Sequence, residues 1–107
     1  MNEAAFRRKY GSRERVKAIQ AEPCANCGKK PSVNAHCPPK GAKKGTGFKA
    51  GWKWIVPLCD DCHRIRDEEC GSNDAFFLKT GLDLTRAAKW FAVNFHPDTI
   101  PSHDLDF

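Results

Sequence analysis

A chain of 107 residues with a formal charge of +5 and a hydrophobic share of 40% has the size of one small domain, whose apolar core alone gives little stability and gains from a covalent or metal staple. No apolar run approaches the length needed to span a bilayer, and the opening residues MNEAAFRRKY carry no apolar signal segment. Membrane and secreted classes are thereby excluded as expectations, and a soluble cytoplasmic protein without membrane partners is expected.

Taken in chain order, the sequence divides into four stretches. Residues 1–22 read as a basic arm or helix, with Arg7, Arg8, Lys9, Arg13, Arg15 and Lys17. Within it Ser12 caps a short helix running through Ala21, with Val16 and Ile19 on one face and Pro23 as its stop. Residues 23–71 hold two Cys-x-x-Cys knuckles, Cys24/Cys27 and Cys59/Cys62. Between them Ser32 to His36 predicts a short strand, and Trp52 to Leu58 predicts a second strand that returns as a hairpin. The intervening loop is rich in Pro and Gly and carries Lys40, Lys43, Lys44, Lys49 and Lys53, with no acid from Cys37 to Cys59. From Cys62 the pattern predicts one or two helical turns closed at Gly71. Residues 72–96 predict two helices. Asn73 or Asp74 caps the first, which carries Phe76, Phe77 and Leu78 and ends at Gly81; Asp83 caps the second, whose stripe is Leu84, Ala87, Ala88, Phe91 and Phe95. Residues 97–107 are a tail.

Two knuckles joined by a loop that folds back give the four soft donors of a tetrahedral structural Zn²⁺. Six cysteines also allow three disulfides, but paired short spacing without a signal peptide favours thiolate ligands in a reducing compartment. Zinc would then be part of folding. Four thiolates against one Zn²⁺ take two charges from +5 and leave +3, still basic. Basic side chains gathered in the arm and the loop suit the phosphate backbone of a nucleic acid, although a solvated charged face explains the same composition.

His36, just before the loop, and His63, fused to the second knuckle, are the remaining chemistry-bearing residues. Asp67 follows His63 by four positions, so a helix would place both side chains on one face. Taken alone, His36 is also explained as a zinc ligand or a buried hydrogen-bonded imidazole, His63 as a histidine packing on the zinc site, and Asp67 as a solvent-facing carboxylate. Trp52 and Trp54, beside Lys49 and Lys53, suit stacking on unpaired bases, and packing on the last helix explains Trp54 equally well. Cys37 and Cys70 receive no role.

The combination Cys-Ala-Asn-Cys-Gly, Val-Asn-Ala-His, a Gly/Lys-rich loop and Val-Pro-Leu-Cys-Asp-Asp-Cys-His resembles the HNH nucleases of the His-Me finger superfamily. It is similar in particular to small phage-borne HNH proteins of the recombination-enhancement nuclease kind, over roughly Pro23 to Phe95. The resemblance implies a small α+β fold, a zinc-stapled treble-clef-like ββα-metal core with flanking helices. It implies a DNA endonuclease or nickase in which His36 is the general base, His63 and Asp67 hold a catalytic Mg²⁺ or Mn²⁺, and Cys24, Cys27, Cys59 and Cys62 hold structural zinc. DNA would be gripped by Arg7, Arg8, Lys9, Arg13, Lys40, Lys43, Lys44, Lys49 and Lys53, with a recombination protein or another phage protein as a further partner. Two positions depart from the family pattern: Ala35 stands where relatives often have a ligand, and Trp54 near the usual asparagine, for which Asn34 would have to substitute. These departures favour the alternative, a non-catalytic zinc-stapled DNA-binding accessory in recombination or packaging. A protein-interaction adaptor built on the zinc fold is a third reading.

Overall fold

The computed structural model describes residues 1–42 and 50–100. Lys43, Lys44 and Lys49, expected to meet DNA, and the last seven residues lie outside the described part. The described residues form a small α+β unit in which helices surround a two-stranded antiparallel sheet.

Helix α1 (Glu3–Tyr10) starts where the Asn2 side chain accepts a hydrogen bond from the Ala5 N–H at 2.8 Å. Glu3 lies in its first turn and Arg7, Arg8 and Lys9 in its last, the order that suits the helix dipole. Helix α2 (Arg13–Gln20) is capped by Ser12, as the sequence predicts, through a 3.0 Å bond from Arg15 N to Oγ. Gly11 turns the chain between them at φ 88°, where a Cβ would lie 2.7 Å from Pro97 Cγ, so this junction accepts no side chain.

Strand β1 (Val33–His36) pairs with β2 (Ile55–Leu58) in a register that sets Ala35 opposite Val56 and His36 opposite Ile55. The second strand is shorter than the expected Trp52–Leu58, because Gly51–Trp54 forms a 3₁₀ turn. Trp52 there lies against groups remote in sequence: the Arg15 guanidinium 5.2 Å from its ring centroid and the His96 ring at 5.1 Å. The two indoles are therefore not set by strand alternation.

Helix α3 (Asp60–Arg64) begins two residues before the expected start, with Cys59 as its cap, and continues as a π-helical segment, Ile65–Cys70, to Gly71. Gly71 closes it at φ 77°, as expected for a left-handed C-cap. Helix α4 (Asn73–Thr80) is capped by Ser72, not by Asn73 or Asp74, with Ser72 Oγ accepting from Ala75 N at 3.1 Å. Helix α5 (Leu84–Asn94) is capped by Asp83, as expected. Leu84 and Ala88 of its apolar stripe are fully buried, with Ala87 and Phe91 partly so. They meet Phe76, Val56 and Leu58 in a core that runs without a break into the thiols Cys24, Cys59 and Cys62.

Because Ser72 does the capping, Asn73 is left to organise a buried polar network. Its Oδ1 accepts from Arg66 Nε and Nη2 at 3.1 and 3.0 Å, and its Nδ2 donates to the Cys37 carbonyl at 2.8 Å and to Thr85 Oγ1 at 2.9 Å. Arg66, only 7% exposed, also donates to the Pro38 carbonyl. Removing Asn73 leaves a buried guanidinium short of acceptors. We expect Asn73→Ala to destabilise the fold by about 2–3 kcal/mol, read as a lower urea midpoint with an unchanged slope.

Arg15 departs from the expectation of a basic surface residue. It is fully buried, donating through Nε to the Phe95 carbonyl and through Nη2 to the Phe91 carbonyl at 3.3 Å. Those carbonyls lie at the C-terminal end of α5, where the Phe91 carbonyl also accepts from the Phe95 N–H at 2.9 Å, so the arginine adds a cationic donor to that helix end. Burial lowers the Arg15 pKa to about 10, which leaves it charged at neutral pH.

Candidate metal centre and histidine cleft

The sulfurs of Cys24, Cys27, Cys59 and Cys62 all lie within 4.8 Å of one another, and Cys27 Sγ and Cys59 Sγ are 3.6 Å apart. Four sulfurs each about 2.3 Å from a shared ion would be about 3.8 Å apart at the corners of a tetrahedron, so the Cys27–Cys59 pair is already close to the edge that zinc requires. Local geometry builds it. The first knuckle closes on itself through Gly28 N to Cys24 O at 2.9 Å and is fixed to β2 through Ala25 N to Pro57 O at 2.8 Å. The second straddles the start of α3.

Amide hydrogens point at the sulfurs. Cys27 N donates to Cys24 Sγ and Cys62 N to Cys59 Sγ, each at 3.5 Å, and Asn26 Nδ2 donates to Cys62 Sγ at 3.4 Å. Burial pushes the Cys24 thiol up, but the backbone N–H groups of Cys27, Cys59 and Asn26 outweigh it and bring the pKa down to about 7. Burial pushes Cys62 up to about 12. Four thiolates crowded this closely would repel one another and gain from a cation placed between them. The donor set and its spacing fit a tetrahedral metal of the zinc type. Among the described residues this is the group of three or more His, Cys, Asp or Glu side chains whose ligand atoms come together in this way.

The second feature is a cleft of about 750 Å³ whose lining includes His36, Asp67, Arg66, Trp54, Arg8 and Lys9. His36, the last residue of β1, reaches α1 and bonds through Nε2 to the Lys9 carbonyl at 2.8 Å, with the Tyr10 ring edge-on at 5.2 Å. A carbonyl only accepts, so Nε2 carries the proton and Nδ1 the lone pair in the neutral ring. Burial holds the His36 pKa below its ordinary value of 6.5; the Lys9 carbonyl opposes this, and the charges of Lys9, His63 and Arg15 add to it. At neutral pH the ring is therefore a free base.

On α3 and its π-helical continuation, His63 Nε2 and Asp67 Oδ2 lie 3.0 Å apart, confirming that the two project together. The other oxygen, Oδ1, is held by Arg66 Nη1 at 3.1 Å. His36 and Asp67 thus share one cleft, and His63 joins them through Asp67.

Ala35, the position of a ligand in the resemblance, is fully buried on the opposite side of β1 from His36. Asn34, the proposed substitute for the missing asparagine, gives its amide to the Val16 carbonyl at 3.1 Å and so ties the strand to α2. The group that orients the histidine is instead a main-chain carbonyl of α1, which no residue pattern announces.

The expected DNA-contacting side chains divide. Arg8 and Lys9 line the cleft. Arg7 and Arg13 both pair with Glu3, at 3.7 and 3.0 Å, and Arg13 holds the Glu3 carboxyl below its usual range. Lys40 lies in a separate cleft with Pro38, Ser72 and Asp74, and Lys53 Nζ sits 5.8 Å from the Trp52 ring centroid. No helix of the described residues is long and apolar enough to cross a membrane.

Comparison with protein-family models, with curated proteins and with solved structures finds no match to this chain.

Proposed function

We propose that this protein is a metal-dependent DNA endonuclease or nickase of the HNH kind, with a treble-clef-like core stapled by Zn²⁺ at Cys24, Cys27, Cys59 and Cys62. The observation that carries the reading is His36: a neutral imidazole, pinned through Nε2 to a carbonyl, in a cleft that also holds the Asp67 carboxylate and the cations Arg8, Lys9 and Arg66. In this reading Nδ1 takes a proton from water as its oxygen attacks phosphorus. A new P–O bond forms, the bond to the 3′-oxygen breaks, and the ends are a 5′-phosphate and a 3′-hydroxyl. His63 Nε2 and Asp67 Oδ2 are the pair that would hold Mg²⁺ or Mn²⁺, whose chemistry there is to neutralise charge on the departing oxygen. Arg8 and Lys9 hold the backbone beside His36, and Arg7, Arg13, Lys40, Lys43, Lys44, Lys49 and Lys53 add attraction that weakens with salt. A cytoplasmic setting and a phage recombination partner follow from the resemblance and belong to the same proposal.

The test is nicking of supercoiled plasmid by zinc-loaded protein with Mg²⁺ or Mn²⁺ against a metal-free control. Conversion to the open circle only with the added ion is the expected result; intact plasmid with both ions, together with retained DNA binding, would replace this reading with the second. That second reading, a zinc-stapled DNA-binding accessory without hydrolysis, is favoured by the Arg66 guanidinium bonded to Asp67, which opposes a second cation at the carboxylate, and by buried Ala35.

A further inference from the structure

A second groove, of about 630 Å³, lies between the 3₁₀ turn and α5. Trp54 and Trp52, the latter with Arg15, Lys53 and His96 against its ring, supply indole surface, Ala92 and the exposed Val93 an apolar edge, and Lys53 and Lys89 its cations. Among the described residues no acid lines it, and neither lysine pairs with a carboxylate. His96 also lines it, but Asp98 Oδ2 lies 3.8 Å from its Nδ1, so the lysines carry the attraction for an anion. Trp54 lines both this groove and the His36 cleft, which are therefore neighbours across one indole.

Resting on the nuclease reading, we propose that this groove seats an unpaired base of a DNA strand whose adjoining phosphate lies in the His36 cleft, so that the preferred substrate is single-stranded or locally unpaired. Flat apolar walls with cations beside them match a nucleobase and its phosphate, and aromatic surfaces accept any base because every base has a π-face. The volume is within the range of small-ligand sites. A fully stacked duplex keeps its base faces covered and gains from the groove only through its lysines. The charge argues against a neutral apolar occupant, and an acidic peptide is the competitor to be tested.

The experiment measures binding of fluorescein-labelled dT12 and of a 12-base-pair duplex to zinc-loaded protein without Mg²⁺ or Mn²⁺, across a salt series. Lys89→Gln and Val93→Glu change exposed positions on α5 and are checked by thermal melting. The expected result is tighter binding of dT12 than of the duplex. Each substitution should weaken dT12 about tenfold, and Lys89→Gln should reduce the log–log salt slope by about 0.7. Duplex binding should change far less. Equal affinity for both DNAs, unaltered dT12 binding by both variants, or equally effective competition by hexaglutamate each overturns the proposal. Its failure is distinguishable from that of the nuclease reading: dT12 binding lost in the variants without any cleavage leaves the groove standing, whereas plasmid nicking without dT12 preference leaves the nuclease standing.

Discussion

With zinc held at the four-cysteine cluster, chelation is expected to unfold the protein outright. Structural zinc contributes on the order of 10–16 kcal/mol in small zinc domains, while a domain is stable by only about 5–15 kcal/mol in total. Here the thiols are not a peripheral clip: Cys24, Cys59 and Cys62 are part of the same buried cluster as Val56, Leu58 and Phe76. Losing the ion leaves crowded thiols in the core and frees the first knuckle from α3. A tight zinc chelator should abolish the cooperative thermal transition seen by circular dichroism, and native mass spectrometry should show one zinc lost with it. Cys24→Ser and Cys62→Ser should reproduce the effect, whereas Cys70→Ser, outside the cluster, should retain the metal. A protein purified without metal that melts identically with and without chelator would sink the assignment.

Replacing His36 is expected to lower the nicking rate by about 10²–10⁴-fold, the usual contribution of a positioned general base. His36→Ala should keep its zinc and its melting temperature close to those of the parent, because its tie to α1 is one hydrogen bond at an incompletely buried position. In the proposed mechanism the working form is the neutral ring, whose pKa in the fold lies below 6.5. The rate should therefore stay level through neutral pH and fall only on the acid side of 6.5 as the ring takes up a proton. Stability moves in the same direction: below 6.5 the unfolded chain binds more protons at this residue than the folded one, so its contribution is lost as pH drops and is constant above. A pH–rate profile for parent and variant checks this. A residual rate in His36→Ala equal to the parent's removes the residue from the mechanism.

Local features of the fold were legible because their causes are local. Ser12 and Asp83 cap helices, Gly71 and Gly81 end them, and each Cys-x-x-Cys knuckle pairs its own two sulfurs, all through interactions spanning a few residues; that the two knuckles meet was legible only from the repeated motif. What escaped the sequence depends on distant contacts. Arg15 read as part of a basic arm, yet its partners are the Phe91 and Phe95 carbonyls, and the partners of Arg66, Asn73 and the Pro38 carbonyl, are equally remote from what a charge in the sequence suggests. Trp52 read as a strand residue, but Arg15 and His96 draw it into the 3₁₀ turn. At the site, His36, His63 and Asp67 were recognisable by type and spacing. The Lys9 carbonyl was not, since a main-chain oxygen leaves no mark in residue identity.

The Arg15 tie also bears on the order in which the molecule can be completed during synthesis. All four cysteines precede His63, so the metal centre can close once the first knuckle, the hairpin and the start of α3 have left the ribosome. Arg15 is made before any of them, but its acceptors on Phe91 and Phe95 come near the end of the chain. A nascent chain paused after α3 is therefore expected to hold zinc while Arg15 is still hydrated, and burial of that charge becomes a late event that waits for α5. Conversely, a chain truncated before Phe91 would keep its metal site and still lack the contact that joins its first helices to its last.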